Sequence, residues 1–113
     1  MHELGLLRGA VTAVVRTTGN ARVEAVGLRV GTLSGAVPEA LLGAWPIAVA
    51  GTTLEGACLD LEIVQAAVWC PTCAAERPVD EFFALTCPEC ATPTANLVKG
   101  REFEVTYADV DTG

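Results

Sequence analysis

Cations, aromatic rings, histidines and long apolar runs are all scarce in this sequence. Seven Lys and Arg stand against 14 Asp and Glu, giving a formal charge of −7 and a pI near 4.5. Phosphate backbones and anionic lipid surfaces are bound through clustered cations, so neither nucleic acid nor a membrane is expected as a partner. No segment reaches the roughly 20 uninterrupted apolar residues that a spanning helix needs. The longest apolar stretch, Leu41 to Ala50, contains Gly43 and Pro46. Met1-His2-Glu3 places an acid where a secretory signal carries basic residues, so the expected compartment is the cytoplasm. His2 is the only histidine, and no Ser or Cys has a sequence-evident base beside it, which makes an enzyme the least expected function. With 113 residues the chain also falls short of large enzyme folds such as the (β/α)8 barrel of about 250 residues.

What is present suffices for a folded core. Hydrophobic residues make up 51% of the chain and the mean hydropathy is +0.43, values unlike those of disordered chains. Aromatics are only 5%, so the core is built from Ala, Val, Leu and Gly. Leu4, Leu7, Val11, Val14 and Val15 recur at helical offsets and predict a helix over residues 3–17, stopped by Gly19-Asn20. Val26, Leu28 and Val30 alternate with Gly27 and Arg29, predicting a strand over 23–30. Pro38 opens a second helix that reaches about Ala50, with a kink or break expected near Leu42 to Pro46 because Pro46 removes a backbone bond. A second strand is expected over 58–65, with Leu59, Leu61 and Ile63 inward and Asp60 and Glu62 outward. Residues 97–110 return to strand patterning through Phe103, Val105 and Tyr107. The fold class is therefore α+β: two helices on a small three-stranded sheet, with an inserted four-cysteine zinc-ribbon module. Its domains are residues 1–66 plus 97–113, and 67–96 for the module. The insertion requires the last strand to pair back into the first sheet.

Four of the five cysteines form two C-x-x-C knuckles, Cys70-Pro71-Thr72-Cys73 and Cys87-Pro88-Glu89-Cys90. Each short turn aims two sulfurs at one point. Together they supply a closed tetrahedral shell that suits structural Zn2+ and leaves no position for substrate. Rubredoxin-like iron has the same ligand set and remains open, whereas two disulfides do not suit a reducing compartment. A redox C-x-x-C pair would explain one knuckle but not two. Four thiolates with one Zn2+ add −4 + 2 = −2, taking −7 to −9 and further disfavouring nucleic acid. Ala74 and Ala91 sit where such knuckles often carry Gly. Cys58 begins a strand pattern and reads as a small buried hydrophobe.

The N-terminus offers a second constellation. A bulky second residue protects Met1 from removal, so the Met1 amine, the His2 amide nitrogen and the His2 imidazole can close two fused chelate rings. Glu3 can add a fourth donor. Planar nitrogen donors suit Ni2+ or Cu2+. The alternative is an ordinary helix start, with Glu3 favourable in the first turn.

The order of motifs resembles the HypA/HybF family of hydrogenase nickel-incorporation proteins. The resemblance rests on Met1-His2-Glu3-Leu4, Val30-Gly31-Thr32-Leu33-Ser34-Gly35, Val37-Pro38-Glu39-Ala40-Leu41 and Gly51-Thr52 with Leu54-Glu55-Gly56-Ala57. It continues through Leu59-Asp60-Leu61, Trp69-Cys70 with Cys73, Cys87-Pro88 with Cys90, and Gly100-Arg101-Glu102-Phe103. It implies a nickel metallochaperone that delivers Ni2+ to the [NiFe]-hydrogenase large subunit during maturation, with the GTPase HypB as partner. It implies nickel ligation by Met1, His2 and Glu3, and structural Zn2+ on Cys70, Cys73, Cys87 and Cys90. A monomer or weak homodimer is expected. Pro46 and Ala74 depart from the family pattern, and Val37 stands where some members offer a further carboxylate, the nearest acid being Glu39. The alternative function is a structural zinc-ribbon adaptor between proteins, with no second metal.

Overall fold

The computed structural model describes residues 2–80 and 85–111. In chain order the elements are α1 (His2–Thr18), β1 (Val23–Gly31), α2 (Pro38–Val49), β2 (Cys58–Val64), β3 (Ala67–Cys70), β4 (Ala75–Pro78), β5 (Leu97–Lys99) and β6 (Phe103–Val110). The strands form two three-stranded sheets, ordered β2-β1-β6 and β4-β3-β5. The last strand thus returns to β1, as the α+β reading requires. Among the described residues no helix is long and apolar enough to cross a membrane.

The chain divides into two compact units. One comprises residues 1–29, 36–62 and 104–113; the other comprises 30–35 and 63–103. In the first unit, the helical spacing of Leu7, Val11 and Val14 puts all three on one buried face of α1. Val23, Val26 and Leu28 of β1 are buried, as are Leu41, Trp45, Ala48 and Val49 of α2. Trp45 satisfies its buried indole N–H on the Ala57 carbonyl at 2.8 Å. Gly19, at φ +62°, closes α1 through a bond from its N–H to the Val15 carbonyl. On the other face of the sheet, Arg29 reaches Glu62 at 3.0 Å and Glu104 at 2.8 Å, tying β1 to both neighbours.

The second helix has no break at Pro46. It runs unbroken from Pro38 to Val49, with Pro46 inside it. The lost bond is the one the Leu42 carbonyl would accept, and both Leu42 and Pro46 are exposed, so water can satisfy that carbonyl. Ile63 is also displaced from its expected inward position. It is 48% exposed near the end of β2, a strand at the sheet edge. Residues 97–110 form two strands, with Gly100 to Glu102 between them, and the two strands join different sheets.

In the second unit β3 pairs antiparallel with β4 (Ala67↔Pro78 through Cys70↔Ala75) and with β5. Among the described residues its core is Ala66, Val68 and Val79, with Leu33 and Leu97 packed against them. Gly31 and Gly100 make a close backbone crossing here. The Gly31 N–H bonds the Glu102 carbonyl at 2.8 Å, and the Leu33 N–H bonds the Gly100 carbonyl at 2.7 Å. A Cβ on Gly31 would strike the Gly100 backbone, and one on Gly100 (φ +126°) would strike Ala66.

Candidate metal centre

The two knuckles are built alike. The first is the turn of the β3–β4 hairpin, from Cys70 at the end of β3 to Cys73 just before β4. In the second, the Cys87 N–H bonds the Thr92 carbonyl at 2.8 Å and the Ala91 N–H returns to the Cys87 carbonyl at 2.9 Å. A β-bridge between Thr86 and Pro93 closes the loop below them. Each knuckle turns through a left-handed residue one position past its second cysteine, Ala74 at φ 52° and Ala91 at φ 60°. This is the backbone region for which glycine is the usual choice.

These turns bring the sulfurs of Cys70, Cys73, Cys87 and Cys90 within 4.8 Å of one another. Cys90 Sγ lies 3.5 Å from both Cys70 Sγ and Cys73 Sγ. Those separations are far beyond the disulfide bond length of about 2.05 Å. A tetrahedral ion with metal–sulfur bonds of about 2.3 Å spaces neighbouring sulfurs about 3.8 Å apart. The four sulfurs therefore fit a tetrahedral all-thiolate ion. Cys70 and Cys87 are buried, Cys73 is half-buried and Cys90 is exposed.

Donors surround the cluster. The Cys73 N–H points to Cys70 Sγ and the Glu89 N–H to Cys87 Sγ, both at 3.4 Å. The Thr92 hydroxyl lies 3.1 Å from Cys90 Sγ. Thr92, first through its hydroxyl and then through its backbone, pulls the Cys90 thiol down to about 6. Cys73 experiences opposing influences. The Arg77 guanidinium acts to lower it, but the Cys90, Cys70 and Cys87 thiols together with burial outweigh that and push it up to about 11. Four thiols this close cannot all ionise without a cation to offset their charge, and metal binding displaces their protons. The sequence did not single out Thr92 or Arg77; the only signal was a hydroxyl two residues past the last cysteine and a lone cation between the knuckles.

The fifth cysteine does not join the cluster. Cys58 is exposed, contrary to its reading as a buried hydrophobe. Strand alternation puts it on the same face as Asp60 and Glu62, the face turned to solvent.

Of the N-terminal residues, Met1 lies outside the described residues. His2 is exposed at the start of α1, its Nδ1 3.7 Å from a carboxylate oxygen of Glu3. Glu3 is buried, and its other oxygen accepts the Val37 N–H at 3.2 Å. Val37 precedes Pro38 at the start of α2 and has no side-chain cap of its own. A carboxylate from α1 supplies the acceptor that a local capping residue would otherwise provide. Its own backbone N–H first, then the N-terminal amine, and less strongly the Val37 N–H and His2, hold the Glu3 carboxyl down to about 2. Glu39 is exposed in the first turn of α2.

The chain resembles known proteins. A family described as hydrogenase/urease nickel incorporation, metallochaperone, matches residues 1–110. The hydrogenase maturation factor HypA of Roseiflexus sp. (strain RS-1) is 40% identical over 108 residues, covering 93% of this chain and 88% of its own. That of Methylocella silvestris is 36% identical over 114 residues, covering 98% of this chain and 100% of its own. The solution structure of the Ni metallochaperone HypA from Helicobacter pylori superposes with a TM-score of 0.62 over 97% of each chain; at 14% identity this likeness concerns the fold alone. The family is one of metallochaperones, not enzymes, and with residues 1–110 matched and relatives at 40% identity over nearly its whole length, this chain belongs to the HypA family of hydrogenase maturation factors.

Proposed function

We propose that this chain binds Ni2+ through Met1, His2 and Glu3 and delivers it to the large subunit of a [NiFe]-hydrogenase, with the GTPase HypB as its partner and Zn2+ in the four-cysteine site. The observation that carries the reading is the family match over residues 1–110. The chemistry supports it. The first N–H groups of a helix have no intrahelical acceptor, so the His2 and Glu3 amides can lose their protons to a metal without unwinding α1. The Met1 amine, the His2 amide and His2 Nδ1 would form two fused rings around Ni2+, at an exposed helix end from which the ion can be passed on. The Glu3 amide or carboxylate supplies the fourth donor; the carboxylate also accepts the Val37 N–H.

Zinc suits the second site because four thiolates in a tetrahedron complete its shell. That leaves the ion a structural part of the ribbon, while nickel is cargo. On this reading residues 1–66 with 97–113 carry nickel and 67–96 carry zinc. The work is done in the cytoplasm, by a monomer or weak homodimer.

Transfer tests the function. Radiolabelled Ni2+ carried by the chain should appear in nickel-free hydrogenase large subunit when HypB and GTP are present, and His2→Ala should abolish that transfer. Equal filling of the large subunit from the His2→Ala protein would overturn the delivery role. Metal analysis of the purified protein should find zinc in a colourless sample; a red sample would assign the site to iron.

A further inference from the structure

The four sulfurs are not held equally. The buried pair, Cys70 and Cys87, each receive a backbone N–H, which no side-chain substitution can remove. Of the outer pair, Cys73 depends on side chains, and Cys90 is supported by Thr92, through its hydroxyl first and then its backbone. Cys90 is the most exposed of the four, and the Thr92 hydroxyl stands 3.1 Å from its sulfur. Thr92 Oγ1 also donates to Thr72 Oγ1 at 3.1 Å, linking the second knuckle to the first. A hydroxyl proton can rotate and a thiolate has none to offer. Toward an ionised Cys90, Thr92 is therefore the donor, and the Thr72 hydroxyl can donate to Thr92 behind it. Arg77, at the β4 position paired with Val68, is the cation nearest in chemistry to Cys73; its Nε is sealed from solvent and has no hydrogen-bond partner among the described residues.

We infer that Thr92, backed by Thr72, is a positioning residue of the metal site: it holds Cys90, the ligand most open to water, on the ion and sets how fast the ion is given up. The inference rests on the zinc reading of the four-cysteine cluster. A ligand leaves a tetrahedral ion when its sulfur is captured by a proton or by a competing chelator, and the exposed ligand goes first. A hydrogen bond to that sulfur spreads its negative charge and fixes its direction. Loss of such supporting contacts typically weakens a metal site 10–100-fold.

The test compares zinc-loaded wild type, Thr92→Val and Thr92→Ser for transfer of Zn2+ to excess EDTA. Thr92→Val keeps the volume and removes the hydroxyl, and should lose zinc at least about 10-fold faster. Thr92→Ser keeps the hydroxyl and should hold zinc as the wild type does. In Co2+-substituted protein the sulfur-to-metal charge-transfer band should move to lower energy in the Val variant only, because the unsupported thiolate gives up its electron more easily. A Val variant with the wild-type rate and band overturns the inference while leaving the zinc reading intact. A Ser variant as fast as Val also overturns it, by assigning the effect to the methyl group. A wild type that holds no zinc overturns the reading of the site and the inference with it. Should Thr92→Val fail to fold, Thr72→Val at an exposed position should speed zinc loss by a smaller factor, and an unchanged rate there counts against the inference.

Discussion

Gly27 has no room for a side chain. A Cβ there would strike the ring of Tyr107 and meet the Thr106 hydroxyl at 2.6 Å. Gly27→Ala is therefore expected to cost about 1–3 kcal/mol, read from the urea midpoint. Tyr107 is held in place on this face by its O–H, which donates to Asp60 Oδ2 at 2.7 Å. That bond, with burial and the Asp60 charge, raises the Tyr107 pKa from 10.0 to about 12. A raised pKa contributes stability that is complete below 10 and is lost as pH rises through about 12. The chain has a single tyrosine, so its ionisation can be followed by tyrosinate absorbance. The titration should be shifted upward in the native protein, and Asp60→Asn should move it back toward 10. In the knuckles, left-handed Ala74 and Ala91 each carry a backbone cost of about 1–2 kcal/mol, part of which glycine's unfolded-state entropy would cancel. Ala74→Gly and Ala91→Gly should each stabilise the metal-loaded protein by about 0.5–1 kcal/mol, measured by denaturant titration. The sequence did mark these two alanines as unusual, because knuckle spacing fixes where the chain must turn back. It gave no sign that Gly27 faces Tyr107, since that contact joins residues far apart in the chain.

The first helix and first strand were legible because their apolar residues keep a strict period: Leu7, Val11 and Val14 for α1, Val26 and Leu28 for β1. At Pro46 in the second helix a kink or break was expected, and no break occurs. Local sequence says that proline breaks a helix, but only the fold says that Leu42 and Pro46 lie on the solvent side, where a freed carbonyl finds water. Proline still carries an intrinsic penalty of about 3 kcal/mol relative to Ala inside a helix, less about 0.4–1 kcal/mol regained through a stiffer unfolded chain. Pro46→Ala is thus expected to stabilise the first unit by about 2 kcal/mol. An unchanged thermal midpoint would mean that α2 already relaxes around the proline at no cost. Cys58 was misplaced by its residue type, although alternation puts it on the outward face of Asp60 and Glu62. Ile63 was misplaced because alternation does not say that β2 lies at a sheet edge. The break at Gly100 to Glu102 was hidden because strand patterning continues on both sides, while the crossing with Gly31 that requires it is non-local.

The whole molecule is two units of unequal self-sufficiency. The first buries large side chains such as Leu7, Leu28, Leu41 and Trp45. Among the described residues the second has a core of Ala66, Val68 and Val79 with Leu33 and Leu97 against it, small side chains that a bound metal would supplement. Removing the metal with a chelator should therefore release hydrogen-exchange protection across residues 63–103 and leave α1, the β1 interior and α2 protected. Protection lost equally from both units would contradict that division. The four-cysteine cluster was the most legible part of the candidate site, because two short turns of fixed spacing determine where four sulfurs point. The N-terminal site was legible only as a donor set. Nothing in the sequence says that the Glu3 carboxylate is engaged by Val37. The central claim is that nickel is bound through the chain's own α-amine, and one comparison tests it: a nickel titration of tag-free protein beside the same protein with one Gly added before Met1. The extension moves the amine out of its chelate ring and leaves every side chain in place. The account predicts one Ni2+ bound by the tag-free chain, with the absorption of planar nitrogen ligation, and loss of both in the extended chain. Equal binding by the two proteins would contradict it.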